Sequence, residues 1–366
     1  MIISDKLKEV IDSRSIFGRR YSLWSVLGLF VVARLCNCNS ILASHRLGKR
    51  LNKKQLQQLG FWKKLPCYST LTIILRGIDL ENFESVLGSI IKFLQGKEAS
   101  THQAIDGKRL CGSSDGERPA VHLVSLFSIA IGGVTGQVES TYGAGEIAAA
   151  LKLVANTDLT GIVITGDALF ATPKLCDTIC KQGGDFVLTV KKNQRELHEA
   201  LETAFADPVF LNQAERFESH AEKGHGRIEQ RCIAVIDSPL EYLERWNSVT
   251  QVSQVKRVRW LIKDKKETYE TVYLISSFKT KVLPEKLLEY NRNHWGIENR
   301  LHRARDVIFG EDKSTLRKKS APQASAAISN LAIAIAKKIH YSLTQAREIA
   351  THSFNVPIQL IGVNIK

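Results

Sequence analysis

The chain is 366 residues long, 44% hydrophobic and 24% charged. That composition excludes a disordered or fibrous protein and leaves room for two or three domains with real cores. Its formal net charge of +14 points to a polyanionic partner, nucleic acid before an acidic membrane, with a merely basic soluble protein as the alternative. The seven cysteines include no CxxC pair, which argues against zinc and fits a reducing cytosol.

Residues 1–95 read as all-helical and basic. The most apolar run, YSLWSVLGLFVVARL from Tyr21 to Leu35, is too short to span a bilayer and is closed by Arg34. It predicts a buried helix and no membrane span. Aspartate and glutamate are absent between Asp12 and Asp79, while Arg46, Arg50, Lys53 and Lys54 stand among many cations there. A one-signed face of this kind holds phosphates through counterion release, so these four are DNA-contact candidates. A packing helix with a solvated basic face is the competing reading. Pro66-Cys67-Tyr68-Ser69-Thr70 ahead of LTIILRGI has the turn, cap and second helix of a helix-turn-helix.

From 96 to 192 the pattern changes. THQAIDG ends an extended segment at Asp106, and AVHLVSLFSIAIGG and VTGQVEST predict two antiparallel strands. GAGEIAAALKLVANTDL has helical spacing, and GIVITGD is a buried strand ending in Asp167. TPKLCDTICKQGG is a helix with Pro173 in its first turn, and DFVLTVKKNQ is a last strand followed by Lys191 and Lys192. Three strands followed by alternating helices and strands is the order of a ribonuclease-H-like α/β fold. No GxGxxG or P-loop stands at a strand–helix junction.

Residues 193–282, including HGRIEQRCIAVI and VKRVRWLIKDKKETYETVYLISSF, alternate apolar and polar residues and predict an antiparallel β insertion. The core resumes over 283–345, and 346–366 carries little signal. Tyr290 to Asp312 reads as one long helix. Leu287, Tyr290, His294, Ile297, Leu301, Ala304 and Ile308 form its buried face, and Glu298, His302 and Arg305 its edge. LRKKSAPQASAAISNLAIAIAKKIH follows as a basic turn and a small-residue helix that packs on the core.

Phosphodiester cleavage needs an activated water and a stabilised leaving oxygen. Two divalent ions about 3.5–4 Å apart supply both, and hard cations take carboxylate oxygens. In a ribonuclease-H-like sheet the first and fourth strands are neighbours. Asp106 and Asp167 fall on those strands and Glu298 on a helix that packs against them, so the three acids are the expected catalytic metal ligands. The competing reading pairs Glu298 with a neighbouring cation on an exposed face. His294 and His302 are candidates to orient phosphate or Glu298, or are half-buried helix histidines. Lys108, Arg300, Arg305, Lys191 and Lys192 complete the expected DNA contacts, a solvated basic loop being the alternative for the last two.

AIDGKRLCGS, VITGDALF, GGDFVLTVKKNQREL, HGRIEQR, HWGIENRLHRARDVIFGED and LRKKSAPQASAAISNLAI, in that order, resemble the H-repeat-associated family of bacterial insertion-sequence transposases, of DDE type. The resemblance runs to about Lys338. It implies a ribonuclease-H-like core with a β insertion before the last acid, Asp106, Asp167 and Glu298 as metal ligands, and Mg2+ as cofactor, two ions with Mn2+ as a substitute. It also implies double-stranded DNA as partner, both transposon inverted-repeat ends and target. A homodimer on DNA, in the cytoplasm at the nucleoid, follows from that mechanism. Related enzymes often carry a tyrosine, arginine, glutamate, lysine signature around the last acid. Here His294 stands where the arginine would lie and Arg305 where the lysine would lie. Arg305 keeps the charge in a different geometry, and His294 keeps it only when protonated. A decayed DNA-binding relative and a host nuclease of the same fold are the alternative functions.

Overall fold

The computed structural model describes residues 3–95, 101–116, 118–140, 145–240 and 244–362. The turn expected at 96–100 and the start of the GAGEIAAALKLVA helix at 143–144 lie outside them. In chain order the helices are α1 (Ile3–Leu7), α2 (Leu23–Leu35), α3 (Ile41–Arg50), α4 (Lys53–Gln58), α5 (Tyr68–Arg76), α6 (Leu80–Gln95), α7 (Gly145–Ala155), α8 (Pro173–Lys181), α9 (Arg195–Ala204), α10 (Pro208–Gln213), α11 (Pro284–His294), α12 (Ala321–Ile339), α13 (Leu343–His352) and α14 (Asn355–Ile361). The strands are β1 (His102–Arg109), β2 (His122–Ser128), β3 (Gly133–Glu139), β4 (Val163–Gly166), β5 (Asp185–Val190), β6 (Glu215–Glu218), β7 (Glu222–Gly224), β8 (Arg227–Asp237), β9 (Gln251–Leu261) and β10 (Lys266–Ser276). No helix among the described residues is long and apolar enough to cross a membrane.

Two compact units emerge, Met1–Ser100 with Gly107–Ala149 and Gly296–Lys366, and Thr101–Asp106 with Ala150–Trp295. The first unit is built around α2. Its sequence is apolar on every side, and every residue but Trp24 is buried. It packs against α3, α13, α14 and α12. Alanines dominate the buried face of α12 and allow close approach. Arg34 of α2 is buried among these helices and donates to Ser325 Oγ at 2.7 Å and to Ser329 Oγ at 3.2 Å. In the same unit β2 and β3 pair antiparallel and β2 neighbours β1, whose last residues belong here.

A polar network runs through this unit. Glu84 of α6 accepts from Gln137 Nε2 of β3 at 2.8 Å and from Gln323 Nε2 of α12 at 3.4 Å. Gln137 Oε1 in turn accepts from Asn330 Nδ2 at 3.0 Å and from Ser125 Oγ at 3.2 Å. Burial pushes the Glu84 carboxyl up to about 7, against the opposing pull of the two amide donors.

The second unit is a mixed sheet in the order β1-β4-β5-β10-β9-β8-β6, with β7 on β8. β1, β4 and β5 are parallel, and the remaining pairs are antiparallel. All four residues of β4 are buried, as expected for a strand covered on both faces. The core gathers Val163, Val187, Val235, Val255, Leu274 and Leu287. Read through β1, strand pairing begins β3-β2-β1-β4-β5. This is the α/β ribonuclease-H-like arrangement expected from the sequence, with a helical segment ahead of it.

Three local expectations are corrected. β1 runs on to Arg109, so Asp106 stands inside the strand and not at its end. The stretch from 193 to 282 does not begin with strands. It opens with α9 and α10, where Leu197, Leu201 and Ala204 form a buried helical stripe. The expected long helix is also irregular. α11 ends at His294, two π-helical stretches follow at Glu298–His302 and Ala304–Ile308, and Glu311–Lys313 is a 3-10 turn. The extra residue per π turn rotates the face, so His302 and Arg305 are buried instead of lining an edge. The final segment forms α13 and α14 without an evident sequence signal.

Candidate functional site

The second unit sets two acids side by side through strand register. β1 and β4 run parallel with Ile105 opposite Gly166, so Asp106 and Asp167 stand one step beyond the last matched pair. Neighbouring strands lie about 4.8 Å apart, so the two backbones run close at this point, with Asp106 inside β1 and Asp167 just past the end of β4. Gly166 makes the approach possible. A Cβ there would meet Ile105 Cγ2 and Leu188 Cδ2 at 3.0 Å and Phe170 Cβ at 3.2 Å.

Local hydrogen bonds fix the turn that carries Asp167. Its Oδ1 accepts from the Leu169 N–H at 2.9 Å, an Asx-type turn. Asn193 Nδ2 donates to the Ala168 carbonyl at 2.7 Å, which ties the KKNQ turn after β5 to the GDALF turn after β4. Lys191 and Lys192 are exposed on that tied turn. Thr172 then caps α8 by accepting from the Leu175 N–H at 3.4 Å.

His294, at the end of α11, faces β4. Thr165 Oγ1 stands 3.3 Å from His294 Nδ1 and 2.9 Å from His102 Nε2, and donates to the Gln103 carbonyl at 3.5 Å. His102 also meets Tyr290 of α11 edge-on, ring centroids 5.0 Å apart. His294 is thus half-buried and anchored two residues before Asp167.

The other expected residues belong to the first unit. Glu298 is exposed, and its Oε2 lies 3.8 Å from Nδ1 of buried His302, one π turn on. Lys108 Nζ donates to Asp306 Oδ2 at 2.7 Å. Arg305 is fully buried, with Nε 2.9 Å and Nη2 2.9 Å from Glu311 Oε2. A guanidinium so enclosed faces no solvent phosphate, and its role here is to pin the π-helical stretch to the turn after it. The Arg300 guanidinium lies over the Phe127 ring at 5.6 Å, and burial lowers its pKa. Arg46, Arg50, Lys53 and Lys54 are exposed on α3 and α4, with Arg50 also over the Phe354 ring.

Sequence reasoning passed over one further pair. His122 Nε2 and Glu146 Oε1 are 3.2 Å apart, and a Cβ on Gly107 would collide with the Glu146 carboxylate. The glycine after Asp106 is the signal that could have found them, since it clears space for a charged group beside β1.

Comparison with known proteins adds a framework. Residues 96–335 match the model of the Transposase DDE domain, and residues 4–91 match the region described as DDE_Tnp_1-associated. The H repeat-associated protein YhhI of Escherichia coli strain K12 is 32% identical over 288 residues, 76% of this chain and 76% of that one. The H repeat-associated protein YbfD of the same strain is 32% identical over 193 residues, 52% of this chain and 76% of its own. A cryo-EM structure of the piggyBac transposase synaptic complex with hairpin DNA aligns with 98% of this chain and 77% of that one, at 14% identity and a TM-score of 0.43.

Proposed function

Since the chain belongs to the DDE transposase family, we propose that it cuts DNA at the ends of an insertion sequence and joins the released 3′-hydroxyl to target DNA. The observation that supports this reading is the Ile105–Gly166 register, which brings the backbones at Asp106 and Asp167 onto neighbouring chain positions. Glu298 completes the set, with His302 beside it.

The donor chemistry suits a hard divalent ion. Asp106 and Glu298 each offer a carboxylate oxygen of the type such ions take, with His302 beside them, and Asp167 adds a third carboxylate. Asp106, Asp167 and Glu298 would hold Mg2+, two ions in all, with Mn2+ as a substitute. When bound, the ions lower the pKa of a water and neutralise charge on the scissile phosphate. The protein's own residues do the rest. The Leu169 N–H and the Asn193 tie hold Asp167 in place, and His302 orients the Glu298 carboxylate. Lys191 and Lys192 bind backbone phosphate ahead of the cut, and the helical segment 1–95 recognises the element's end through Arg46, Arg50, Lys53 and Lys54. Joining two ends calls for two copies of the chain on DNA, in the cytoplasm at the nucleoid.

The test is cleavage of a duplex bearing the inverted repeats that flank the reading frame, with Mg2+ present. Wild-type protein nicks at the repeat boundary, and Asp167→Asn does not. Cleavage retained by Asp106→Asn and Glu298→Gln would remove these residues from the site. Gel shifts without nicking in Mg2+ or Mn2+ would leave a DNA-binding protein and no enzyme.

A further inference from the structure

The basic turn ahead of α12, Arg317-Lys318-Lys319-Ser320, has no part in the acid site. Lys318 and Lys319 line a cleft of about 500 Å3 in the first unit together with Arg76 and Gly77 at the end of α5 and Asp115 and Arg118 of the loop before β2. Three stretches of chain far apart in sequence thus bring four cations to one concavity.

The cleft is built and not an accident of floppy side chains. Ser320 Oγ donates to the Ile78 carbonyl at 2.9 Å and fastens the basic turn to the α5–α6 connection. Ser13 Oγ donates to the Gly77 carbonyl at 3.0 Å from the other side. A Cβ on Gly112 would collide with the Ser314 carbonyl, so the loop before β2 is seated on the chain leading into the turn. Within the loop, Asp115 Oδ1 accepts from the Arg118 N–H at 2.8 Å. Lys319 sits at φ 52°, a left-handed backbone that a lysine adopts at a cost.

The charges in this cleft lack the usual explanation. Among the described residues, none of Arg76, Arg118, Lys318 and Lys319 forms an ion pair, in contrast to Lys108 and Arg305 nearby in the sequence of the same unit. Arg76 suits the negative end of α5, but Lys318 and Lys319 precede the positive end of the nineteen-residue α12, where cations are disfavoured. Ser320 makes no side-chain cap there, so that residue does nothing to offset the positive end of the helix. Such a concavity raises the local concentration of anions.

We propose that this cleft grips the phosphodiester backbone of duplex DNA, as a contact separate from the cations of α3 and α4. It rests on the DNA-acting reading above, and it assigns the otherwise idle RKKS turn to holding DNA while the acids act elsewhere. Backbone contacts of this kind fix register and carry no sequence information.

The measurement is binding of a short random-sequence duplex across a salt series, by fluorescence anisotropy, for full-length wild type, Lys318→Gln/Lys319→Gln and the control Lys263→Gln/Lys266→Gln. All four lysines are exposed, and unchanged circular dichroism confirms the fold. If each lysine of the turn neutralises one phosphate, the slope of log K against log salt becomes shallower by about 1.8 in the first variant. The control removes the same net charge and changes the slope far less. An equal change in both variants overturns the proposal, because it would report net charge alone. An unchanged slope in Lys318→Gln/Lys319→Gln, with wild type binding normally, overturns it and spares the DNA-acting reading. Failure of wild type to bind the duplex at any salt overturns both. Protection of the cleft by inorganic phosphate without any effect of the variant on DNA overturns it in favour of a small-anion site.

Discussion

Glu84→Gln isolates the energetic consequence of the buried network in the first unit. The amide keeps an oxygen to accept from Gln137 and Gln323 and removes only the ionisation. In the folded chain the carboxyl titrates near 7, against an ordinary 4.5. At 1.36 kcal/mol per tenfold, that difference is worth about 3 kcal/mol. Its sign follows from proton binding. Below pH 4.5 both folded and unfolded chains hold the proton and the group's contribution is fully present. Between 4.5 and 7 the unfolded chain releases its proton first, so stability falls as pH rises and levels off above about 7. Glutamine has no such loss. Urea unfolding of both proteins at pH 5 and pH 8.5 therefore yields a stability gap that widens by about 2.5 kcal/mol in favour of Glu84→Gln at the higher pH, because the unfolded carboxyl is already partly ionised at pH 5. Other carboxylates contribute equally to both and cancel. Parallel pH profiles for the two proteins would refute the reasoning.

Gly166→Ala forces a methyl against Ile105, Leu188 and Phe170; it should cost about 1–3 kcal/mol, and an unchanged melting temperature would show that the strands have slack. Glu311→Gln leaves Arg305 buried with a weakened partner and should destabilise by about 3 kcal/mol, while Arg305→Met/Glu311→Leu regains most of that loss in a double-mutant cycle. Cys67 is exposed, and hydrogen bonds from Ser69 and Thr70 bring its thiol down to about 7, whereas burial pushes Cys36 up to about 12. Iodoacetamide at pH 7.5 should therefore label Cys67 well before Cys36, and equal rates by peptide mass mapping would contradict these environments.

Much of the fold is written in apolar pattern. YSLWSVLGLFVVARL is apolar on every side and can only be buried, and VITGD ends its strand where the next residue is the acid. The helix bearing Glu298 is legible as a stripe from Leu287 to Ala304, yet its π turns are not. Ile297, Leu301 and Ala304 are spaced by four and three residues, the steps of an ordinary α-helix, so periodicity cannot register the π turns. That is why His302 and Arg305 read as edge residues and are buried. α9 was hidden for a different reason. RELHEALETA shows only four small or apolar positions, Leu197, Ala200, Leu201 and Ala204, among charges, and the strongly alternating strands after it dominate the segment. Contacts such as Lys108 with Asp306 and Asn193 with Ala168 join residues far apart in the chain and leave no trace in local spacing.

The packing of α2 against α12, α13 and α14 sets an order of events during synthesis. α2 leaves the ribosome apolar on all sides, and its partners α12, α13 and α14 follow only after the whole intervening α/β segment has been made. Until then that surface has no native cover except its near neighbours α1 and α3. A chain cut short before α12 would keep every acid through Glu298 and still lack the helix that encloses α2. Products that stop before α12 should thus be captured by chaperones or proteases before they reach a stable fold.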